Sequence, residues 1–229
     1  MEQEFNLENA LAANSETARF RERLSSTQVE KLSLFYELII HENTVQNLTR
    51  LTNPEDFVRG HLLDVFWLGE IAEFRERSDK SSQASPLLDL GSGPGVPGLA
   101  AAIMFGGHWV LAESEQRKAD FLSRAVSTLK MSDVRVFPGR AEDFLKKNQT
   151  SVSAVVSRAA GKVDRILSWI SNCSTWNTLF LLKGPGWEAE SDEKITDELR
   201  AQFDFRICGD FGADSENKRT IFVQITRKE

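Results

Sequence analysis

Between Ser15 and about Asn43 the apolar positions fall three and four residues apart. Leu32, Phe35, Tyr36, Ile39 and Ile40 therefore share one face and predict a helix that buries it. Thr27 and Glu30 stand at capping-box spacing within that stretch. A second helix is predicted after the cap Asn53, with Pro54 at the first helical position and Glu55 and Asp56 in the first turn. Phe57, His61, Leu62, Phe66 and Ile71 form its apolar side. The polar run Arg75 to Ser85 breaks the periodicity and reads as a linker. Beyond it, short apolar runs alternate with helical patterns, the mark of βα units around a mainly parallel sheet. Strands are expected at Pro86–Leu90, His108–Ala112, Val134–Phe137, Ser153–Ser157 and Thr178–Leu182. Helices are expected near Gly98–Phe105, Gln116–Met131, Ala141–Lys147, Lys162–Cys173 and Glu188–Ala201. Two β-rich stretches, Phe203–Cys208 and Thr220–Thr226, close the chain as an antiparallel hairpin around the polar segment Gly209–Arg219. The expected class is α/β: a doubly wound, Rossmann-like sheet over residues 81–229, preceded by a small helical region and linker over 1–80.

Bulk composition narrows the function. At 229 residues and 41% hydrophobic content the chain is long enough for one α/β domain and a small appendage. The net charge of −6 argues against holding nucleic acid by broad phosphate neutralisation, so any such contact must be local. The opening MEQEFNLENA has no apolar export-type run, and no stretch approaches the roughly 18 apolar residues of a membrane span. A soluble, cytoplasmic monomer with no membrane or DNA partner is expected. Cys173 and Cys208 lie far apart, without CxxC spacing or a histidine cluster, so neither a disulfide framework nor a metal site is indicated.

The sharpest chemical feature is LLDLGSGPGVPG, where a strand ends in Asp89 and Gly91, Gly93, Gly95 and Gly98 open a helix. Such a turn lets a ligand approach the backbone closely and meet the free N–H groups of a helix start. Dinucleotide binders space these glycines as GxGxxG, whereas this chain has GxGxG, with Val96 at the place of the third small residue and Pro94 and Pro97 stiffening the loop. An acid directly before the glycines suits a cationic sulfonium nucleoside better than a polyanion. Glu113, at the end of the second strand, is placed to accept both hydroxyls of a ribose. Ala141 and Glu142 follow the third strand, at the edge where a doubly wound sheet binds ligands. Glu142 reads equally as an adenine-amino acceptor or as a first-turn acid on the helix dipole.

The ordered phrases QNLTRLTNPEDFVRGHLLD (Gln46 to Asp64), LLDLGSGPGVPG, ESEQRKADFL (Glu113 to Leu122), GRAEDF (Gly139 to Phe144), VVSRA (Val155 to Ala159), LLKG (Leu181 to Gly184) and RTIFVQI (Arg219 to Ile225) together resemble one family. It is that of the small-subunit (16S) ribosomal RNA guanine-N7 methyltransferases, also called glucose-inhibited division protein B. The resemblance implies a seven-stranded methyltransferase fold, S-adenosyl-L-methionine as methyl donor, and 16S ribosomal RNA or the small ribosomal subunit as partner. It also implies donor contacts at Gly91, Val96, Ala141, Glu142 and Arg158. This chain departs from the family at Gly60, where a basic residue is usual, and at Val65, where a serine is usual; Arg59 is the nearest substitute cation.

Guanine N7 offers an in-plane lone pair and carries no proton, so its methylation needs positioning and no general base. Arg158, Lys183 and Arg219, at strand ends, are candidates to hold the base or its phosphates, or else are solvated strand-end cations. Asn47 and Thr49 resemble a family loop that closes over the guanine, though NLT before a turn also reads as a side-chain cap. Helical spacing makes His61 a core residue, and Asp64 an anchor between its helix and the glycine loop. Trp187 and the other tryptophans are base-stacking candidates or core. Two other classes compete: a small-molecule methyltransferase or dehydrogenase, favoured by the acidic charge, and a catalytically silent ribosome-binding protein, favoured by Gly60 and Val65.

Overall fold

Alternation of side chains along the central strands divides the interior into two cores, one on each face of a seven-stranded sheet. The computed structural model describes residues 6–13, 15–147, 151–212 and 219–228. Helices α1 (Leu7–Ala12), α2 (Ser15–Arg21), α3 (Ser26–Glu42) and α4 (Pro54–Phe57) lead into a π turn at Val58–Leu62, followed by α5 (Leu63–Glu70) and α6 (Ala72–Asp79). There follow β1 (Leu87–Leu90), α7 (Gly98–Phe105), β2 (Trp109–Glu113), α8 (Gln116–Thr128), β3 (Val134–Pro138), α9 (Ala141–Lys147), β4 (Ala154–Arg158), α10 (Val163–Ile170) and β5 (Thr178–Lys183). Helices α11 (Trp187–Lys194) and α12 (Asp197–Gln202) precede the hairpin β6 (Phe203–Phe211) and β7 (Thr220–Arg227).

The strand order is β3-β2-β1-β4-β5-β7-β6, parallel from β3 to β5 and antiparallel at β7 and β6. Strand order reverses between β1 and β4, which places a ligand crevice at their carboxyl ends. Leu87, Leu111, Val156 and Phe180 point to the face covered by α3, α5, α7 and α8, so the N-terminal helices share their core with the sheet. Leu88, Val110, Val155 and Leu179 point to the face covered by α9 and α10. Period two then carries Asp89, Glu113 and Arg158 onto the first face at the strand ends, two residues beyond Leu87, Leu111 and Val156.

Each expected strand before the hairpin is present within one residue of its limits, but several helical expectations need correction. The helix foreseen from Ser15 to Asn43 is broken: the N–H groups of Arg23 and Leu24 turn back to Phe20 and Arg21, and buried Leu24 plugs the gap. The capping box is Ser25 with Gln28, not Thr27 with Glu30, since the Gln28 N–H donates to Ser25 Oγ and the Ser25 N–H to Gln28 Oε1. The supposed linker begins with α6, held by a single apolar anchor: Phe74 is fully buried against Phe105, Trp109 and Phe180. The helix foreseen at Glu188–Ala201 divides where Ile195 turns inward and Thr196 caps α12. Strand β6 continues past Cys208 to Phe211, and part of the expected hairpin loop lies outside the described residues.

Candidate functional site

Three glycines give the turn after β1 its shape, because Gly91, Gly93 and Gly95 all have positive φ, at 75°, 52° and 97°. Gly98 is required for a different reason: a Cβ there would lie 2.5 Å from Asp89 Oδ2 and 2.6 Å from Leu111 Cδ2. This close approach lets the Gly98 N–H donate to Asp89 Oδ2 at 3.0 Å. Asp89 is fully buried, and its Oδ1 has no hydrogen-bond partner. Desolvation raises its pKa from 3.8 to about 7, and the neighbouring Glu113 adds to the rise, against the Gly98 N–H, the Ser92 hydroxyl and Arg158, which lower it. Val96 is buried behind the turn, and Phe35 and Leu122 press on Gly95.

Glu113 closes the other side of the turn. Its Oε2 accepts from the Gly93 N–H at 2.9 Å and its Oε1 from the Glu115 N–H at 2.8 Å. A carboxylate offers about four acceptor positions, so this arrangement orients the group and leaves room for two further donors. Beside it, a cavity of about 180 Å³ is lined by Gly91, Ser114, Ala141, Glu142, Ala160 and Trp169, among others. The Glu142 carboxylate is 3.5 Å from Arg140, and its side chain is 15% exposed. A glycine cradle, a buried carboxylate with one unpartnered oxygen and a second carboxylate with spare acceptor positions together fit a cationic nucleoside.

On the far side of Asp89, Arg158 ends β4 and is held by the N-terminal helices. Its Nε faces Asp64 Oδ2 at 3.3 Å and its Nη2 donates to the Gly60 carbonyl at 2.7 Å, whereas Nη1 is buried without a partner. Burial lowers the Arg158 pKa, against the carboxylates of Asp64 and Asp89. Asp64 also accepts from the Thr220 hydroxyl at 2.6 Å. It therefore ties its helix to β4 and β7, and not to the glycine loop as the sequence suggested. Gly60, a departure from the family pattern, supplies a carbonyl to the site; a Cβ there would meet Leu51 Cδ1 at 2.4 Å.

A second cavity, of about 260 Å³, has Arg158, Lys183, Glu190 and Thr220 in its wall. Lys183 Nζ donates to the Gly161 carbonyl at 2.9 Å and to Glu190 Oε1 at 2.7 Å. Arg219 is instead gripped by both oxygens of Asp210, at 2.9 and 2.7 Å, away from the crevice lining. Trp187 is buried. Asn47 is exposed on a turn held by Asn43, whose Oδ1 accepts from the N–H groups of Leu48 and Thr49. Gln46 leans from this turn onto the Arg117 carbonyl at the start of α8. Thr49 pairs with buried His61 at 2.8 Å, and Phe57 packs edge-on against the His61 ring.

One contributor was foreseen only among the tryptophans in general, and another escaped the sequence reading. Trp169 lines the smaller cavity from α10, with the Arg165 guanidinium over its ring; helical spacing alone places it beside the core residue Ile170. Glu190 binds both Lys183 and the Val163 N–H, and nothing in WEAE distinguishes it from the flanking acids.

The family model for rRNA small subunit methyltransferase G, GidB, matches residues 28–205. Ribosomal RNA small subunit methyltransferase G of Solibacter usitatus is 31% identical over 188 residues, covering 81% of this chain and 84% of that protein. Its counterpart in Mesoplasma florum is 30% identical over 168 residues, or 72% of this chain and 66% of that protein. An MtNAS variant solved in complex with S-adenosylmethionine superposes with a TM-score of 0.55 at 14% identity, over all of this chain and 86% of that one, which shows a common fold. With the model spanning the glycine turn, Glu113 and the Arg158 strand end, this chain belongs to the GidB family of rRNA small subunit methyltransferases.

Proposed function

We propose that the chain transfers a methyl group from S-adenosylmethionine to N7 of a guanine in 16S ribosomal RNA, acting as a cytoplasmic monomer. The observation that carries this reading is the crevice at the β1–β4 switch point. There a glycine cradle between two carboxylates, Asp89 and Glu113, adjoins a cavity walled by the cations Arg158 and Lys183. Bound S-adenosylmethionine supplies an electrophilic methyl group on a positively charged sulfur.

The residues divide the work by charge. Gly91, Gly93, Gly95 and Val96 shape the cradle; Asp89 balances positive charge in it. Glu113 accepts the ribose hydroxyls with its spare lone pairs, and Ala141 and Glu142 border the adenine. Arg158 and Lys183 hold the guanine O6 or an adjacent phosphate, and exposed Asn47 covers the base from the turn at α3. Because N7 has no proton to lose, alignment of the base at about 3 Å from the methyl carbon is the main catalytic demand. The methylated base is cationic, so the same guanidinium and ammonium that orient neutral guanine weaken its hold afterwards.

Ribosomal RNA from a strain lacking this protein, treated with borohydride and aniline and read by primer extension, should lose one cleavage at 7-methylguanosine. An unchanged cleavage pattern would remove the proposal.

A further inference from the structure

Beside the glycine turn, a buried charged cluster draws its parts from distant places in the chain: Gly60 in the π turn, Asp64 at the start of α5, Arg158 at the end of β4 and Thr220 at the start of β7. A guanidinium presents donors on three nitrogens. Here the carboxylate of Asp64 faces Nε and the Gly60 carbonyl takes Nη2, which fixes the plane of the group and leaves Nη1 as the buried donor without a partner. The Thr220 hydroxyl fixes Asp64 in turn from behind, on its other oxygen. Ala159, directly after the arginine, holds a left-handed φ of 55°, a conformation that persists where surrounding structure imposes it. Orphaned buried donors are uncommon because they forfeit hydration, so one that is aimed by two neighbours points to an absent acceptor.

We infer that Asp64 is a positioning residue for the methyl transfer, setting the guanidinium of Arg158 so that Nη1 meets a ligand oxygen in the crevice. The inference rests on Arg158 acting as the ligand-holding cation proposed above. The oxygen is an anionic or carbonyl acceptor, belonging either to the carboxylate of the donor's amino-acid part or to the guanine. Asp64 borders the same cavity, but both its oxygens are engaged, by Thr220 and by Arg158, so its effect on the reaction passes through Arg158. The π turn then has a purpose, since it puts the Gly60 carbonyl and the Asp64 side chain on the same guanidinium.

A double-mutant cycle tests this with Asp64→Asn, Arg158→Ala and the combined variant. S-adenosylhomocysteine affinity is read by calorimetry, and kcat and KM on small subunits lacking the methyl mark are read separately. Asp64→Asn should weaken one of the two readouts about 10- to 100-fold in the parent, the size of a lost charge-assisted hydrogen bond, and less than twofold once Arg158 is Ala. A loss in S-adenosylhomocysteine binding assigns the oxygen to the donor, and a loss confined to the ribosomal substrate assigns it to the base. Guanidinium ion at millimolar concentration should partly restore Arg158→Ala and leave the combined variant unchanged, a response that general destabilisation would not give. Should Asp64→Asn fail to fold, Thr220→Val carries the same comparison with an expected loss of a few fold. Equal losses with and without Arg158 would overturn the role of Asp64 and spare that of Arg158. An Arg158→Ala variant that matched the parent in both readouts would overturn both.

Discussion

Asp89 makes the folded protein sensitive to pH in a way that one substitution isolates. Its pKa rises from 3.8 in the unfolded chain to about 7 in the fold, chiefly because the carboxyl is desolvated, with one oxygen left without a donor. A folded pKa above the unfolded one means that the native state keeps a proton the unfolded chain has released. The associated stability is fully present below about pH 4 and is lost progressively up to about pH 7. At 1.36 kcal/mol per pH unit the full loss is roughly 4 kcal/mol, an upper figure because the buried group can relax. Asp89→Asn keeps the shape and an acceptor for the Gly98 N–H while removing the titration. Urea unfolding of both proteins at intervals between about pH 4 and pH 8, without methyl donor, should show the parent losing several kcal/mol relative to the variant, with the difference level above about pH 7. A stability difference that stayed constant across the range would refute the assignment of a neutral, desolvated Asp89. The same reasoning gives the donor a linked proton: a cationic ligand favours the ionised carboxylate, so binding near pH 6 should release a proton, seen calorimetrically in buffers of different ionisation enthalpy.

Other sites yield sharper, single-point expectations. Gly98→Ala drives a methyl group to 2.5 Å from Asp89 Oδ2, and should cost about 1–3 kcal/mol in urea unfolding even though alanine favours the helix. A neutral result would mean that the β1–α7 packing is looser than described. Phe74→Ala removes the ring on which α6 rests, and should destabilise by about 3–5 kcal/mol in the same assay. A loss below about 1 kcal/mol would make α6 the linker that its polar sequence suggests. Glu113→Ala should weaken S-adenosylhomocysteine binding by roughly 10- to 100-fold in calorimetry, since it removes charge-assisted acceptors and frees the Gly93 N–H. Unaltered affinity would place the ribose elsewhere.

Short continuous apolar runs made the strands legible, and the capping residue Asn53 with Pro54 made the second helix start legible, because both signals are local. What stayed hidden depended on a partner. The sequence RERSDKSSQAS looks like a linker, since the stability of α6 resides in one phenylalanine reaching three rings contributed by α7, β2 and β5. The capping box was misplaced by two residues because either Ser25 or Thr27 satisfies the pattern. Only the seating of Leu24 and the bonds of Gln28 to the Ile103 and Met104 carbonyls decide between them.

The candidate site divides along the same line. Glycines with positive φ and an acid at each neighbouring strand end are properties of one βα turn and its neighbour, so the shape of this turn was readable from spacing. The cations were not, because their meaning depends on which carboxylate reaches them. By spacing alone Arg158, Lys183 and Arg219 are equivalent strand-end cations, and only the family resemblance singled out Arg158. In the fold Arg219 is held by both oxygens of Asp210 and Lys183 is shared with Glu190, while Arg158 alone of the three keeps a buried nitrogen without a partner. That difference is made by Gly60 and Asp64, nearly a hundred residues earlier, and by Thr220 on the last strand. At Gly60, which in the sequence argued for lost activity, it is the backbone carbonyl that binds the arginine, a group that any residue at this position supplies, so the departure from the family pattern leaves this contact intact.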